Sequence, residues 1–425
     1  ESPENAYWVT DDGAVINDKG ELHCFVGGGT SVGLSPEIKS IQKGAFRYTG
    51  EIEAIRLSYT GSLVELQEDS LATSNIRKVI CYSREQKTDI ERQLSKAGAD
   101  PDIKVELVQE QQNPEGYRYF QEKVDGKFVT ILESAPSEIT SFDSGALIGA
   151  DGKRLVISSI AEGAFRGCSK LQWVTLSEDT KKIGTSAFDG CSSLEGVLIS
   201  SKDTVTIGDK AFDGCSSLRF LASNAEECVR ENDYVPTVEQ SYGGGARQCF
   251  FFIPSYEDGD DYSRHGYPAG HAVSFTRQSN VTSYGIVETG GNGKVLYGLG
   301  QSGGAEVPWL ALRAGKDLDQ SVQLPAGTEE IYLYAFADTA AADDSYTVNW
   351  SDLPILGYVD EGAFWNASLG GSVKIASMAS LGRNAFSGTG IERIELADVG
   401  NLGENVFADC KNLKEAVFDR AEEYA

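Results

Sequence analysis

The chain of 425 residues contains no unbroken apolar run of about 18 residues, the length that a membrane-crossing helix requires, so no segment is expected to span a bilayer. It is also poor in positive charge: 37 Lys and Arg stand against 64 Asp and Glu, a formal net charge of −27. Such a field repels nucleic acid and anionic membrane surfaces, and no DNA or RNA partner is expected. No Cys-x-x-Cys pair and no Cys/His spacing suggests zinc. Gly27-Gly28-Gly29 and Gly243-Gly244-Gly245 lack the Lys-Ser/Thr ending of a phosphate-binding loop and read as turns. The paired carboxylates of glycoside cleavage are defined by their separation in space, so the sequence singles out no pair. No catalytic residue, metal ligand or cofactor is therefore assigned. The chain opens at Glu1 with neither Met nor an apolar leader, as expected of a mature or trimmed form, and no C-terminal anchor signal is recognised.

What the chain does have is repetition. Ile-x-x-x-Ala-Phe or a close variant runs from Ile41 to Phe46, Ile160 to Phe165, Ile183 to Phe188, Ile207 to Phe212, Ile331 to Phe336, Val359 to Phe364, Leu381 to Phe386 and Leu402 to Phe407, with a degenerate copy from Leu66 to Leu71. Within a cluster the copies lie 21 to 28 residues apart, a period typical of leucine-rich repeat solenoids. Each is followed by an apolar triplet at spacing i, i+3, i+5, such as Leu171, Val174 and Leu176. The last two alternate like a short strand with one buried face. A unit thus reads strand, turn, strand, bend, and only stacked neighbours can close its core.

Ile183-Gly184-Thr185-Ser186-Ala187-Phe188-Asp189-Gly190-Cys191-Ser192-Ser193-Leu194 resembles the repeat of the BspA-like bacterial surface leucine-rich repeat proteins, and Ile207 to Leu218 carries the same string again. The resemblance implies a secreted or cell-surface protein of a kind associated with adhesion, bound to an extracellular protein or glycan, and it transfers no catalytic residue. The expected fold is a β-rich leucine-rich repeat solenoid, a right-handed superhelix with short helical corners and two non-repeat interruptions.

Of the eight cysteines, Cys168, Cys191, Cys215 and Cys410 stand three residues after a repeat Phe and Cys81 takes a strand position, so these five are expected to be buried thiols. Cys24, Cys228 and Cys249 remain, and a Cys228–Cys249 bridge is open in an oxidising compartment.

Five segments are expected. Residues 1–84 hold a hairpin and the first repeats. Residues 85–141 form an interruption, with a helix around Ile90, Leu94 and Ala97, a strand at Ile103 to Val108 and a hairpin at Asp125-Gly126. Residues 142–222 hold a hairpin from Gly145 to Val156 and three repeats. Residues 223–282 are a second interruption, and residues 283–425 hold a hairpin and the C-terminal repeats. Asp-Gly and Asn-Gly between apolar runs carry the hairpin readings.

The second interruption combines an expected short helix at Ala225 to Arg230 with an acidic, aromatic loop. Long polar loops with aromatic residues are where scaffolds place recognition, so Tyr256, Asp260, Asp261, Arg264, His265 and Tyr267 are the candidate binding residues. His265 and His271 with the nearby acids match no metal signature, and Asp258-Gly259-Asp260 lacks the later Gly and distal Glu of an EF-hand loop. A solvated acidic loop is the reading kept ahead of a weak calcium site or a catalytic centre. Against surface binding stand two other classes: a structural spacer of the cell surface, and a secreted hydrolase with its site in residues 223–282.

Overall fold

The computed structural model describes residues 7–9, 13–26, 29–35, 37–58, 62–124, 127–225, 228–230, 249–253, 271–274, 281–290, 293–302, 305–341 and 344–419. It is a β-solenoid, as expected, in which one device is used three times: a three-stranded antiparallel meander feeds a parallel ladder. Tyr7–Val9, Ala14–Asn17 and Glu21–Phe25 lead into Ser40–Ile41 and Glu65–Leu66. Glu110–Gln112, Arg118–Val124 and Lys127–Ser134 lead into Ile157–Ile160, Lys182–Ile183, Val205–Ile207 and Cys228–Arg230. Ser283–Glu288, Lys294–Ser302 and Ala305–Ala314 lead into Glu330–Ile331, Tyr358–Val359, Ser380–Leu381 and Asn401–Leu402. Each meander covers the open end of a ladder whose first coil would otherwise expose its core.

The apolar triplets build the opposite wall. In the second block Ser141–Asp143, Trp173–Leu176, Gly196–Ile199 and Phe220–Ser223 pair in parallel, with Val174 opposite Val197 and Val197 opposite Leu221. Between the walls the repeat phenylalanines stack: Phe165, Phe188 and Phe212 follow one another at centroid separations of 4.7 and 5.3 Å, and Phe142 of the first wall strand meets Phe165 edge to face at 4.8 Å. Phe336, Phe364 and Phe386 repeat the column at 4.9 and 5.2 Å. Removing one such ring from a filled core costs about 3–5 kcal/mol. Cys81, Cys168, Cys191 and Cys215 are buried as expected, while Cys410 in the last coil is only partly covered. The Cys191, Cys215 and Cys410 thiols donate to the carbonyls of Phe165, Phe188 and Phe386, so this cysteine column links each coil to the one before.

The corners are not helices. Ala45 N donates to Gln42 O and Arg47 N to Gly44 O, a succession of i→i−3 turns repeated along the solenoid. They do not propagate because two residues per corner sit at positive φ. The residue before Ala-Phe does so in all nine copies, as Gly44, Asp69, Gly163, Ser186, Lys210, Tyr334, Gly362, Asn384 and Asn405. The second residue after Phe does so in most, among them Gly167, Gly190, Gly214 and Thr73. Thr73 is exposed and β-branched at φ 64°, where a branched Cβ is strained. Thr73→Gly is expected to raise stability by roughly 0.5–1 kcal/mol, strain relief exceeding the added chain entropy. Equilibrium denaturation checks this, and a loss of stability would contradict it.

Three local expectations are corrected. Cys228–Arg230 is a strand, not part of a helix, because Cys228 falls opposite Val205 in the parallel ladder and so starts another coil. The expected hairpin from Gly145 to Val156 is reduced to a single bridge between Ile148 and Arg154. The second ladder starts instead from Lys127–Ser134, inside the segment read as an interruption. The rest of that segment closes the first block. The helix Arg84–Gln93 has a Ser83/Gln86 capping box and buries Ile90 in the first core. Lys104–Leu107 adds a strand beside Lys78–Cys81.

The blocks touch through outward faces. Tyr82 of the first meets Phe120 of the second at 5.2 Å. Between the second and third, Trp173, Leu198 and Phe220 on the outside of one sheet pack against Leu296, Leu310 and Leu312 on the outside of another. Gly196 makes this face possible, since a Cβ there would lie 2.4 Å from the Phe220 ring and 2.7 Å from that of Trp173.

Candidate functional site

Tyr256, Asp260, Asp261, Arg264, His265 and Tyr267 lie outside the described residues, and so does the Cys249 side chain. The framework that carries this segment is described. Cys249–Ile253 pairs antiparallel with Phe220–Ser223, setting Phe251 opposite Phe220, and thereby extends the outer wall of the second block. His271–Ser274 pairs with it in turn, and Ile253 stands directly opposite His271. The two residues that bracket 254–270 are therefore cross-strand neighbours at the edge of a six-stranded sheet.

The base of the longer excursion is closed by a reciprocal pair of hydrogen bonds. Asn224 Nδ2 donates to Tyr284 O at 3.1 Å, and Tyr284 N donates to Asn224 Oδ1 at 2.8 Å. Both residues are buried, where a well-made bond is favourable and a broken one leaves unsatisfied groups. A side-chain amide standing in for a strand neighbour leaves no periodic trace in a sequence, so this clasp was not legible there. Just beside it, Cys228 Sγ lies 3.3 Å from Ser223 Oγ.

Beneath the clasp lies a buried polar joint between the second and third blocks. Arg219 donates from Nε to Ala314 O at 2.9 Å and from a terminal nitrogen to Ala337 O at 2.7 Å. Glu195 accepts from Lys316 N at 2.6 Å. Burial raises the Glu195 pKa and lowers that of Arg219, and in each the opposite charge of the other works against the shift. The groups hold their charge partners inside the protein, facing neither a cleft nor solvent, so their chemistry is structural.

Two further clusters carry charge. An open cleft of about 460 Å³ between the helix and the first ladder is lined by Lys39, Leu63, Glu65, Asp89, Arg92 and Lys96. Arg92 is paired with Asp89 and Lys96 lies 3.6 Å from Glu65, so its cations are largely compensated. In the third block, burial and the neighbouring Glu330 carboxyl, to which it hydrogen-bonds, push the Asp360 carboxyl up to about 7. Burial likewise pushes the Cys81 and Cys191 thiols to about 12, which keeps them protonated and unreactive at neutral pH. Among the described residues no three His, Cys, Asp or Glu side chains converge to hold a metal ion, and no helix is long and apolar enough to cross a membrane.

The description of a BspA type leucine rich repeat region matches residues 24–93, 155–227 and 318–414 in 6 copies, more than half of the chain. The chain belongs to the BspA-type leucine-rich repeat family. The chain is also similar to several solved structures. A leucine rich cell surface protein from Faecalibacterium prausnitzii A2-165 is 14% identical over 99% of this chain and 95% of its own, with a TM-score of 0.28. A leucine-rich repeat protein from Bacteroides ovatus ATCC 8483 is 13% identical over 96% and 79%, with a TM-score of 0.25. The pneumococcal vaccine antigen PcpA is 11% identical over 98% and 86%, also at 0.25. No curated protein matches the chain.

Proposed function

We propose that this BspA-type chain is an adhesin-like binding protein, secreted or held at a bacterial surface, that recognises a host protein or glycan through residues 223–282 presented by the solenoid. The observation that carries the reading is the mounting of residues 254–270. Their flanking residues are paired across a sheet edge, and the excursion that contains them is clasped at its base by Asn224 and Tyr284. Fixing the two flanks of a recognition segment lowers the entropy lost when it binds. Membership of the family and the naming of one similar fold as a cell surface protein support the location.

The test uses the full chain and a variant with Tyr256, Asp260, Asp261, Arg264, His265 and Tyr267 all replaced by Ala, both applied to immobilised extracellular-matrix proteins and glycans. The variant is expected to lose a specific signal at least about tenfold while its thermal unfolding stays unchanged, since hot spots concentrate in few side chains. Equal binding by both folded forms would remove these residues from the interface.

A further inference from the structure

The repeat supplies its own standard for what an ordinary corner looks like. Across the nine copies, the residue before Ala-Phe is Gly, Asp, Ser, Lys or Asn except at Tyr334. The residue after Phe is Arg, Ala, Asp or Ser except at Trp365. Each is the sole aromatic in its column, and the two fall in adjacent coils where they touch. Their rings lie 6.4 Å apart between centroids at 80°, edge to face.

Tyr334 holds this position at a cost. Its φ is 52°, a left-handed conformation that a bulky aromatic side chain rarely adopts. Its ring lies over Gly362, where an added Cβ would come within 2.3 Å of it. Every copy holds this position left-handed, but only here does a bulky aromatic residue occupy it, and strain accepted for one side chain points to function.

Polar groups surround the two rings. Tyr334 OH donates to Glu361 Oε1 at 3.4 Å, and Arg383 donates to the same oxygen from Nε at 3.1 Å and from a terminal nitrogen at 2.5 Å. None of these three bonds goes to Oε2. Glu361 and Arg383 keep 30% and 52% of their side chains exposed, and Asn366 beside Trp365 is exposed. Partly exposed rings meeting edge to face, with a carboxylate and a guanidinium beside them, combine an apolar wall with directional donors and acceptors.

We propose that Tyr334 and Trp365 form a saccharide subsite. The C–H face of a sugar ring packs on the aromatic pair, and its hydroxyls bond to Glu361 and Arg383. Small-ligand sites have this makeup, a mostly aromatic surface with a few placed polar groups. The subsite is separate in sequence from residues 223–282, so either assignment can fail without the other.

The experiment compares the full chain with Trp365→Ala and Tyr334→Gly on an array of neutral oligosaccharides ending in galactose, glucose or N-acetylglucosamine. Both variants are expected to bind roughly thirtyfold or more weakly, the scale of a lost aromatic hot spot. Tyr334→Gly should at the same time melt no lower than the parent, because Gly relieves the left-handed strain. Loss of binding with retained or improved stability supports a functional tyrosine. No saccharide bound by the parent, unchanged binding in both variants, or a Tyr334→Gly variant that is markedly less stable would each overturn the proposal, the last by showing that the ring serves packing.

Discussion

Replacing Arg219 by Ala is expected to destabilise the union of the second and third blocks by about 3–5 kcal/mol, the cost of removing one partner from a buried charge cluster. Arg219 is 6% exposed and satisfies two carbonyls that belong to the third block, Ala314 O and Ala337 O. Its loss strands both and takes from the buried Glu195 carboxyl the positive charge that works against its desolvation. Because the apolar contact of Trp173, Leu198 and Phe220 with Leu296, Leu310 and Leu312 remains, the blocks should stay folded individually. Guanidinium unfolding of the variant is therefore expected to separate into two transitions where the parent shows tighter coupling. Adding Glu195→Gln to Arg219→Ala should cost less than the sum of the two single changes, as partners in one cluster do. An Arg219→Ala variant that unfolds at the parent's midpoint would show that the joint is apolar in energy and polar only in appearance.

That joint marks where the sequence stops being informative. The coil was readable because its constraints are local and repeated: an Ile on one wall, a small Ala where coils approach, a Phe between walls and an apolar pair on the other wall. Even the degenerate copy from Leu66 to Leu71 keeps its strand, its left-handed Asp69 and its buried Leu71. Face-to-face docking of blocks follows from no period. Its trace was present, however, in the loss of alternation. Val197-Leu198-Ile199 and Trp309-Leu310-Ala311-Leu312 are continuously apolar, as strands become when both faces are covered. The strand at Cys228–Arg230 runs against its composition for a related reason. Ser223-Asn224-Ala225-Glu226-Glu227-Cys228 has helical composition, but register with Val205 overrides propensity.

The candidate sites divide in the same way. Residues 256–267 were chosen by composition, as a polar and aromatic loop interrupting a regular array, and they remain a proposal resting on how their flanks are anchored. Tyr334 and Trp365 were visible in the sequence as departures from two columns, yet they lie 31 positions apart and nothing linear indicates that they meet. Only the stacking of one coil on the next places ring against ring. In a repeat protein the register of the array converts a substitution pattern into a surface, and irregularities become meaningful when they are neighbours in that register.

Stability should fall as pH rises from about 4 to about 7 through Asp360, and Asp360→Asn should abolish that part of the dependence. In the fold, burial and the adjacent Glu330 hold the Asp360 proton up to about 7, against an ordinary value of 3.8. Below 3.8 the carboxyl is protonated in both folded and unfolded chains and contributes no pH dependence. Between the two values the unfolded chain has released the proton while the folded chain keeps it, so each unit of rising pH favours unfolding. Above about 7 both forms are ionised and the loss is complete, with two carboxylates then confined together. The total is on the order of a few kcal/mol. Asparagine keeps a neutral donor toward Glu330 and cannot ionise, so the variant should match the parent near pH 4 and exceed it at pH 8. Glu195 is also raised by burial and tilts the parent's curve in the same direction. The quantity to measure is therefore the difference in unfolding free energy between Asp360→Asn and parent at pH 4, 6 and 8. A difference that does not grow with pH would mean that Asp360 ionises in the fold as it does in water, and that the carboxyl pair is open to solvent.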